Sequence, residues 1–304
     1  MPACGVRPPP RRCRDRSDAR DGDRGGGGGA GDAVVSLPLV RRTYADVAHG
    51  QMHYAECGTS TGAGELPIVL LHQTPRSWRE YAGMLPLLGA RRRTIAVDTA
   101  GFGESDPVAE ASIEAWAAAA LQLLDAIGVT RAHVVGHHTG GVIAVEIAAR
   151  APARVASLVL SSTPYTNEAF RVARAGRAAI DAVAPSDDGS HLAALWQKRQ
   201  PFYPVGRPDL LQAFVADALK AGGDVEAGHR AVASYRMEDR IGAVRAPALI
   251  VHATDDPFAA PHLAEWRRLL PAAQVATIEG GVPLPDQCPN EFARAVASFV
   301  ESVS

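Results

Sequence analysis

The 304-residue sequence lacks several features that would assign it to whole classes of protein. Its 31 basic and 33 acidic side chains nearly cancel, so net charge gives no reason to expect nucleic acid or an anionic membrane as a partner. No apolar run approaches the roughly 18–20 residues that span a bilayer, and no apolar stretch follows the N-terminal arginines. We therefore expect a cytoplasmic protein that binds a small molecule, and the oligomeric state stays open.

Signatures of metals and nucleotide cofactors are also missing. The four cysteines do not have the spacing of metal ligands. The glycines at positions 101 and 103 are followed by Glu-Ser-Asp, which lacks the third glycine of a dinucleotide-binding fingerprint. The sequence therefore predicts neither a metal site nor a cofactor.

The first 33 residues differ in composition from the rest of the chain. They contain three consecutive prolines, scattered arginine and aspartate, and five glycines in a row. Such a segment buries too little apolar area to offset the entropy of ordering it. We predict a disordered tail over residues 1–33.

Short apolar runs alternate with helical patterns after the tail. Runs at 67–72, 94–98, 132–136, 157–161 and 248–252 are typical of strands buried on both faces. Residues 113–127, preceded by Ser112 as a possible N-cap and followed by Gly128, and residues 141–150 have helical character. This alternation predicts an α/β fold with a mostly parallel, doubly wound sheet.

The alternation stops between residues 165 and 237. This stretch has helical patterns at 168–183, 192–196 and 208–220 and contains no run typical of a buried strand. It predicts a helical insertion between two strands of the sheet. Pockets commonly form between a sheet and an insertion of this kind.

Five segments lie where parallel strands end or in the C-terminal part of the chain. They are 72–75 (His-Gln-Thr-Pro), 98–106 (Asp-Thr-Ala-Gly-Phe-Gly-Glu-Ser-Asp), 136–140 (Gly-His-His-Thr-Gly), 254–257 (Thr-Asp-Asp-Pro) and 278–283 (Ile-Glu-Gly-Gly-Val-Pro). Ligands of open parallel sheets bind beyond the carboxyl ends of the strands. In type and order, the segments resemble those of the α/β-hydrolase superfamily over about residues 47–300.

The resemblance implies a three-layer α/β-hydrolase fold, with a core over 34–164 and 238–304 and a cap over 165–237. Segment 136–140 has the strand–turn–helix frame of a nucleophile elbow. By analogy, the backbone N–H groups of Thr74 and Thr139 would form an oxyanion hole. Asp256 would be the catalytic acid, with Asp255 as the alternative, and segment 98–106 would be structural.

Two positions depart from the family's catalytic triad. The residue at the point of the elbow is His138, where the family carries a nucleophile, and Val282 occupies the position of the catalytic histidine. Valine neither accepts nor donates a proton, so the usual relay is absent. Gln73 also replaces the usual glycine of the first segment.

Three interpretations follow from these departures. In the first, the chain is an enzyme in which His138 acts as general base or nucleophile, with Asp256 and His137 in support. The superfamily's commonest activity makes ester or lactone hydrolysis the leading reaction, with elimination or decarboxylation as alternatives. The second is a ligand-binding protein without catalysis, and the third is a vestigial relative.

Further residues are assigned to the pocket on position alone. Gln73, Trp78, Phe102 and Trp196 are expected to line a substrate site. A histidine from the cap, His191 or His229, is a possible replacement for the missing triad histidine.

Overall fold

The computed structural model of the protein describes residues 37–59, 65–221 and 224–304. The tail predicted over residues 1–33 lies outside the described residues, so its disorder stays a prediction.

The described residues form strands and helices in alternation. The strands are β1 (Arg41–Val47), β2 (Gly50–Cys57), β3 (Ile68–Leu71), β4 (Thr94–Val97), β5 (Ala132–His137), β6 (Val155–Ser161), β7 (Ala248–Ala253) and β8 (Gln274–Ile278). The helices are α1 (Leu85–Gly89), α2 (Ile113–Ala126), α3 (Thr139–Arg150), α4 (Glu168–Arg174), α5 (Ser190–Arg199), α6 (Pro208–Lys220), α7 (Ala227–Ser234), α8 (Leu263–Leu269), α9 (Leu284–Gln287) and α10 (Pro289–Ser302).

These strands form one sheet in the order β1-β2-β4-β3-β5-β6-β7-β8. β1 and β2 make an antiparallel hairpin, and β2 is antiparallel to β4. All pairs from β4–β3 to β7–β8 are parallel. The carboxyl ends of β3, β5 and β7 therefore lie at the same edge, which is where segments 72–75, 136–140 and 254–257 begin.

Helices cover both faces of the sheet. Side chains of one strand alternate between two apolar cores: Val69 and Leu71 face one core, and Ile68 and Leu70 face the other. Helices α2 and α3 contribute to the first core and α1 and α10 to the second. Burying each such side chain stabilises the fold by about 1.5–3 kcal/mol relative to its exposed state. The predicted mostly parallel α/β fold is confirmed.

Helix α2 begins and ends close to the predicted positions. The Ser112 hydroxyl accepts the N–H of Ala115 at 3.1 Å, which satisfies a donor that the first turn would leave unpaired. Gly128, just after the helix, has a φ of 73°, a conformation that favours glycine. Trp116, on the inner face, is fully buried.

Other elements differ from the sequence prediction. The helix predicted over 168–183 ends at Arg174, and Gly176 follows with a φ of 72°. Strands β1, β2 and β8 were not predicted. β1 and β8 lie at the two edges of the sheet and are only partly buried, so they lack the continuous apolar run of a central strand.

Helices α4, α5, α6 and α7 all lie between β6 and β7, and none of the described residues in 165–237 is in a strand. The division of the chain into a core and a cap stays a prediction. No helix among the described residues is both long enough and apolar enough to cross a membrane.

Candidate active site

A sharp turn joins β5 to α3 and places His138 at its point. His138 has φ 47° and ψ −114°, a strained conformation for a residue with a side chain. A Cβ at Gly136 would overlap the backbone of Gly140, and one at Gly140 would overlap the carbonyl of Leu71. Both glycines are therefore required for the turn, which projects residue 138 from the head of the helix.

The His138 side chain contacts the carboxylate of Asp256. His138 Nε2 lies 2.8 Å from Asp256 Oδ2, although the two groups are not aligned as a regular hydrogen bond. Catalytic hydrogen bonds are often misaligned before substrate binds. No hydrogen bond to His138 Nδ1 is formed within the described part of the chain, and this atom is not buried.

Asp256 is completely buried at the end of β7. Its Oδ1 accepts the N–H groups of Phe258 at 2.9 Å and Ala259 at 3.2 Å. Burial works to raise the pKa of this carboxyl, but His138 and the N–H of Phe258 hold the pKa well below its usual range. A carboxylate that stays ionised favours the tautomer in which Nε2 of His138 carries the proton. Nδ1 is then left as the basic nitrogen.

His137 turns away from the surface and is fully buried. Its Nε2–H donates to the carbonyl of Val282 at 2.8 Å, and its Nδ1 accepts from the Ser161 hydroxyl at 3.0 Å. Burial and the adjacent His138 lower its pKa to about 3, so the ring is neutral at physiological pH. His137 therefore ties the loop that carries Val282 to the end of β5.

Two backbone donors lie beside His138. Thr74 and Thr139 contact one another through their hydroxyls, which are 2.9 Å apart. Within the described residues, the backbone N–H of neither threonine has a hydrogen-bond acceptor. Unpaired N–H groups at a helix start and an adjoining turn suit the oxygen of a polarised carbonyl group.

Glu80 supports the turn that carries Thr74. Its carboxylate accepts the backbone N–H of Gln73 at 2.9 Å and the Gln73 side-chain amide at 2.6 Å. Burial raises the pKa of Glu80 to about 8. Arg76, also fully buried, lies nearby and pairs with Asp217 at 2.9 Å and with Asp286 at 2.7 Å.

His138, Gln73 and both threonines line one cavity of about 500 Å³. The walls are mostly apolar and include Phe170, Ile180, Val232, Phe258 and Val282. The volume is in the range of sites for small organic ligands. An imidazole, two backbone N–H groups without acceptors and a partly open, mostly apolar cavity are thus combined at the carboxyl edge of the sheet.

Comparison with known proteins identifies the family of the chain. A family model described as the alpha/beta hydrolase fold matches residues 67–282, which is more than half of the chain. The chain belongs to the α/β-hydrolase family.

Two kinds of relative illustrate the family. The chain is 29% identical over 234 residues to a 2-hydroxy-6-oxononadienedioate/2-hydroxy-6-oxononatrienedioate hydrolase of Dechloromonas aromatica, covering 68% of this chain and 75% of that protein. The enol-lactonase from Burkholderia xenovorans LB400 superposes with a TM-score of 0.71 at 21% identity, over 85% of this chain and all of that one. A thermophilic esterase from Thermogutta terrifontis gives 0.67 at 22% identity, over 86% and 99%. At these identities the two structures support the fold alone.

Three residues that were assigned to the pocket of this α/β-hydrolase lie elsewhere. None of Trp78, Phe102 and Trp196 is among the described residues that line the cavity. Trp78 packs beside the His53 ring in one apolar core, and Phe102 packs edge-on against Trp116 in the other. Trp196 packs against the apolar cluster formed by α5 and α6. These assignments are corrected, since each ring fills a packing position.

No cap histidine takes the place of the triad histidine. His191 contacts Ser186, and His229 Nε2 lies 2.8 Å from Asp181 Oδ2. The imidazole that faces Asp256 is that of His138 itself. The hypothesis of a replacement histidine from the cap is therefore wrong.

One group of possible metal ligands occurs in the described part of the chain. Ligand atoms of Asp181, Glu226 and His229 all lie within 4.8 Å of one another. Arg199 pairs with both oxygens of Asp181, and Glu226 accepts the backbone N–H groups of Asp181 and Ala182. A guanidinium already neutralises this carboxylate, so the group fits a buried ion-pair network better than a cation site.

Sequence reasoning missed most of the charged and titratable residues of the cavity wall. Arg174, Arg177 and Arg199 of the insertion line it, and so does His262, which follows β7. The available signal was the recurrence of arginine every third residue, at positions 171, 174 and 177. That spacing also occurs on ordinary solvated helix faces, and only the fold shows which arginines face the cavity.

Proposed function

We propose that this chain is a cofactor-independent hydrolase of small esters or lactones, in which His138 acts as general base on a water molecule. The observation that carries the proposal is the 2.8 Å contact between His138 Nε2 and the buried Asp256 carboxylate, beside two unpaired backbone N–H groups. An imidazole oriented by a carboxylate is the base of the usual triad. Here the base occupies the elbow itself.

The proposed reaction needs no group beyond these residues and water. His138 Nδ1 takes a proton from water while the water oxygen bonds to the substrate carbonyl carbon. The N–H groups of Thr74 and Thr139 donate to the oxygen that becomes negative. When the carbonyl re-forms, the bond to the leaving oxygen breaks and the proton on Nδ1 passes to that oxygen. The products are a carboxylic acid and an alcohol, or one hydroxy acid from a lactone.

The family supports hydrolysis as the reaction class. The Dechloromonas relative is named as a hydrolase. Fold alone does not fix chemistry. The residues of this site therefore carry the argument.

A ligand-binding role without turnover is the second candidate. It is favoured by the elbow residue, which has neither a hydroxyl nor a thiol group, and by the Val282 side chain, which fills the position of the usual histidine. In this case His138 and Asp256 would bind a polar ligand group. The two functions are separated by measuring turnover.

The test is hydrolysis of 4-nitrophenyl acetate, 4-nitrophenyl butyrate and a panel of γ-lactones by the wild type and by His138→Asn. Asparagine tolerates positive φ, so the turn should survive while the base is lost. We expect kcat/KM of His138→Asn to be about a hundredfold or more below that of the wild type. Intact-mass spectra of the wild type should show no acyl adduct. His191→Asn is the matched control, because this histidine does not line the cavity.

Three results would contradict the proposal. Equal turnover in wild type and His138→Asn would remove His138 as the base. No turnover above buffer for any substrate would instead favour the ligand-binding role. An acyl adduct that disappears in His138→Asn would make the imidazole a nucleophile instead of a base.

A further inference from the structure

The charges around the cavity have one sign. Arg174, Arg177 and Arg199 line it, and the remaining titratable residues of its wall are histidines. No aspartate or glutamate is among the described residues that line it. Asp256 lies behind His138 and is already engaged by that imidazole and by two backbone N–H groups.

One of the three arginines is neutralised within the protein. Arg199 pairs with both oxygens of Asp181, a buried carboxylate that also contacts His229. Burial works to raise the pKa of Asp181, but His229 and Arg199 hold it below its usual range. Arg199 is therefore paired within the protein without a ligand.

Arg174 and Arg177 differ from Arg199 in this respect. No carboxylate of the described residues lies within 4.0 Å of either guanidinium. By contrast Arg171, one turn earlier on α4, makes a two-pronged ion pair with Glu238. Arginine stays protonated at neutral pH, so two positive charges remain at the cavity without an ion-pair partner among the described residues; Arg174 is half-buried and Arg177 is exposed.

The surroundings of Arg174 limit how well water compensates its charge. Arg174 is half-buried, and its guanidinium lies 6.0 Å from the centre of the Phe170 ring, which is itself part of the cavity wall. Burial and the neighbouring charge of Arg177 lower the pKa of Arg174, and the charge of Glu226 opposes this shift only in part. Two like charges next to an apolar wall are repulsive unless an anion lies between them.

We infer that the site takes a carboxylate-bearing substrate, whose anionic group pairs with Arg174 and Arg177 while its ester or lactone carbonyl lies at Thr74 and Thr139. This inference rests on the proposed hydrolase function and adds the substrate class to it. Arginine binds a carboxylate with two parallel hydrogen bonds, which gives orientation as well as affinity. The apolar walls between the two ends suit a short hydrocarbon chain.

The kinetic test compares two esters that share a leaving group. Mono-(4-nitrophenyl) glutarate carries a carboxylate at neutral pH, and 4-nitrophenyl butyrate does not. We expect the wild type to prefer the glutarate in kcat/KM by roughly ten- to a hundredfold, the factor expected of charge-assisted hydrogen bonds. Arg174→Gln/Arg177→Gln should lose that preference, mainly through a higher KM for the glutarate.

Arg267→Gln is the matched control. It removes one positive charge, half of what the double variant loses, from an exposed arginine of α8 that does not line the cavity. An equal loss in this control would assign the effect to net charge. Unchanged selectivity in the double variant, or no preference in the wild type, would overturn the inference while hydrolysis itself stood.

A binding measurement separates the substrate class from the reaction. Titration calorimetry with glutarate needs no turnover, and the double variant should bind glutarate about tenfold or more weakly than wild type and Arg267→Gln. If no ester is hydrolysed and this weakening is seen, the proposed function fails and the carboxylate site stands. If esters are hydrolysed and all three proteins bind glutarate equally, the carboxylate site is wrong.

Discussion

Asp256→Asn is the substitution that tests the proposed base most directly. It keeps the shape of the side chain and replaces one carboxylate oxygen with an NH₂ group. Oδ1 accepts the N–H groups of Phe258 and Ala259, so the amide oxygen is expected to stay on these two donors. The NH₂ group then takes the place of Oδ2, opposite His138 Nε2.

This exchange reverses the tautomer of His138. An amide NH₂ donates a hydrogen bond and accepts none, so Nε2 becomes the acceptor and the ring proton moves to Nδ1. A protonated Nδ1 takes no proton from water. General-base catalysis contributes about 10²–10⁴ in rate, and the same substitution in a Ser-His-Asp triad costs about 10⁴. We expect kcat/KM to fall by about 10²–10⁴-fold, which is about 2.7–5.5 kcal/mol of transition-state stabilisation.

The assay is 4-nitrophenyl butyrate hydrolysis at pH 7.5, with circular dichroism to verify the fold. Asp255→Asn is the control, because Asp255 is the adjacent carboxylate and is exposed. The reasoning is refuted if Asp256→Asn retains wild-type turnover or if both variants lose activity equally. The pKa of Asp256 lies well below its usual range, so its ionisation should produce no limb in the wild-type pH–rate profile above about pH 4.

Three further predictions concern His138 itself and the residues around His138 and Asp256. His138→Ser combined with Val282→His should restore a nucleophile and a base, and intact-mass spectra with a 4-nitrophenyl ester should then show an acyl adduct that wild type does not form. Burial lowers the pKa of His137 to about 3, below its value in the unfolded chain. The stability that neutral His137 contributes to the fold is therefore complete above about pH 6.5 and is lost as the pH falls. Chemical denaturation should show the wild-type free energy of unfolding falling faster than that of His137→Gln between pH 6.5 and 4, by up to about 1.4 kcal/mol per pH unit. Glu80→Ala should remove both acceptors of Gln73, lower stability by about 1–3 kcal/mol and lower kcat more than it raises KM.

The sheet was predictable because its central strands are buried on both faces. β3, β4 and β5 are continuous apolar runs bounded by turn residues, and the structure has them within one residue of the predicted positions. Two of the strands that were not predicted, β1 and β8, lie at the edges of the sheet and lack this apolar run. β1 alternates exposed and half-buried residues, and β8 is only partly buried, so neither produces an apolar run.

The elbow was predictable for a different reason. Gly136 and Gly140 have no space for a Cβ, so the frame of the turn is visible in the sequence even though the residue at its point is unusual. The contact between His138 and Asp256 was not predictable from spacing. The two residues are 118 positions apart in the chain, and only the parallel order β5-β6-β7 places the ends of their strands close together.

The aromatic wall residues failed as predictions because aromatic side chains fill cores as readily as pockets. Trp78 and Phe102 follow strands β3 and β4, which made them plausible wall residues, yet both rings turn into the apolar layers beside the sheet. The actual wall includes Phe170 and Phe258, which neighbour Arg174 and Asp256 respectively. A residue's place in a loop therefore predicted its region of the fold, while the direction of its side chain depended on packing.

Because the proposed base occupies the elbow, the proposed reaction differs from that of a triad enzyme in whether a covalent intermediate forms. In a triad the elbow supplies the attacking oxygen, and a covalent intermediate follows. In this chain the elbow side chain contacts Asp256 directly. Among the described residues that line the cavity, the hydroxyl groups are those of Thr74 and Thr139, which are hydrogen-bonded to each other. In the proposed reaction water therefore provides the oxygen, and hydrolysis proceeds by one displacement without an acyl-enzyme. Pre-steady-state release of 4-nitrophenol should accordingly be linear from the first turnover, because no deacylation step follows the release of the leaving group.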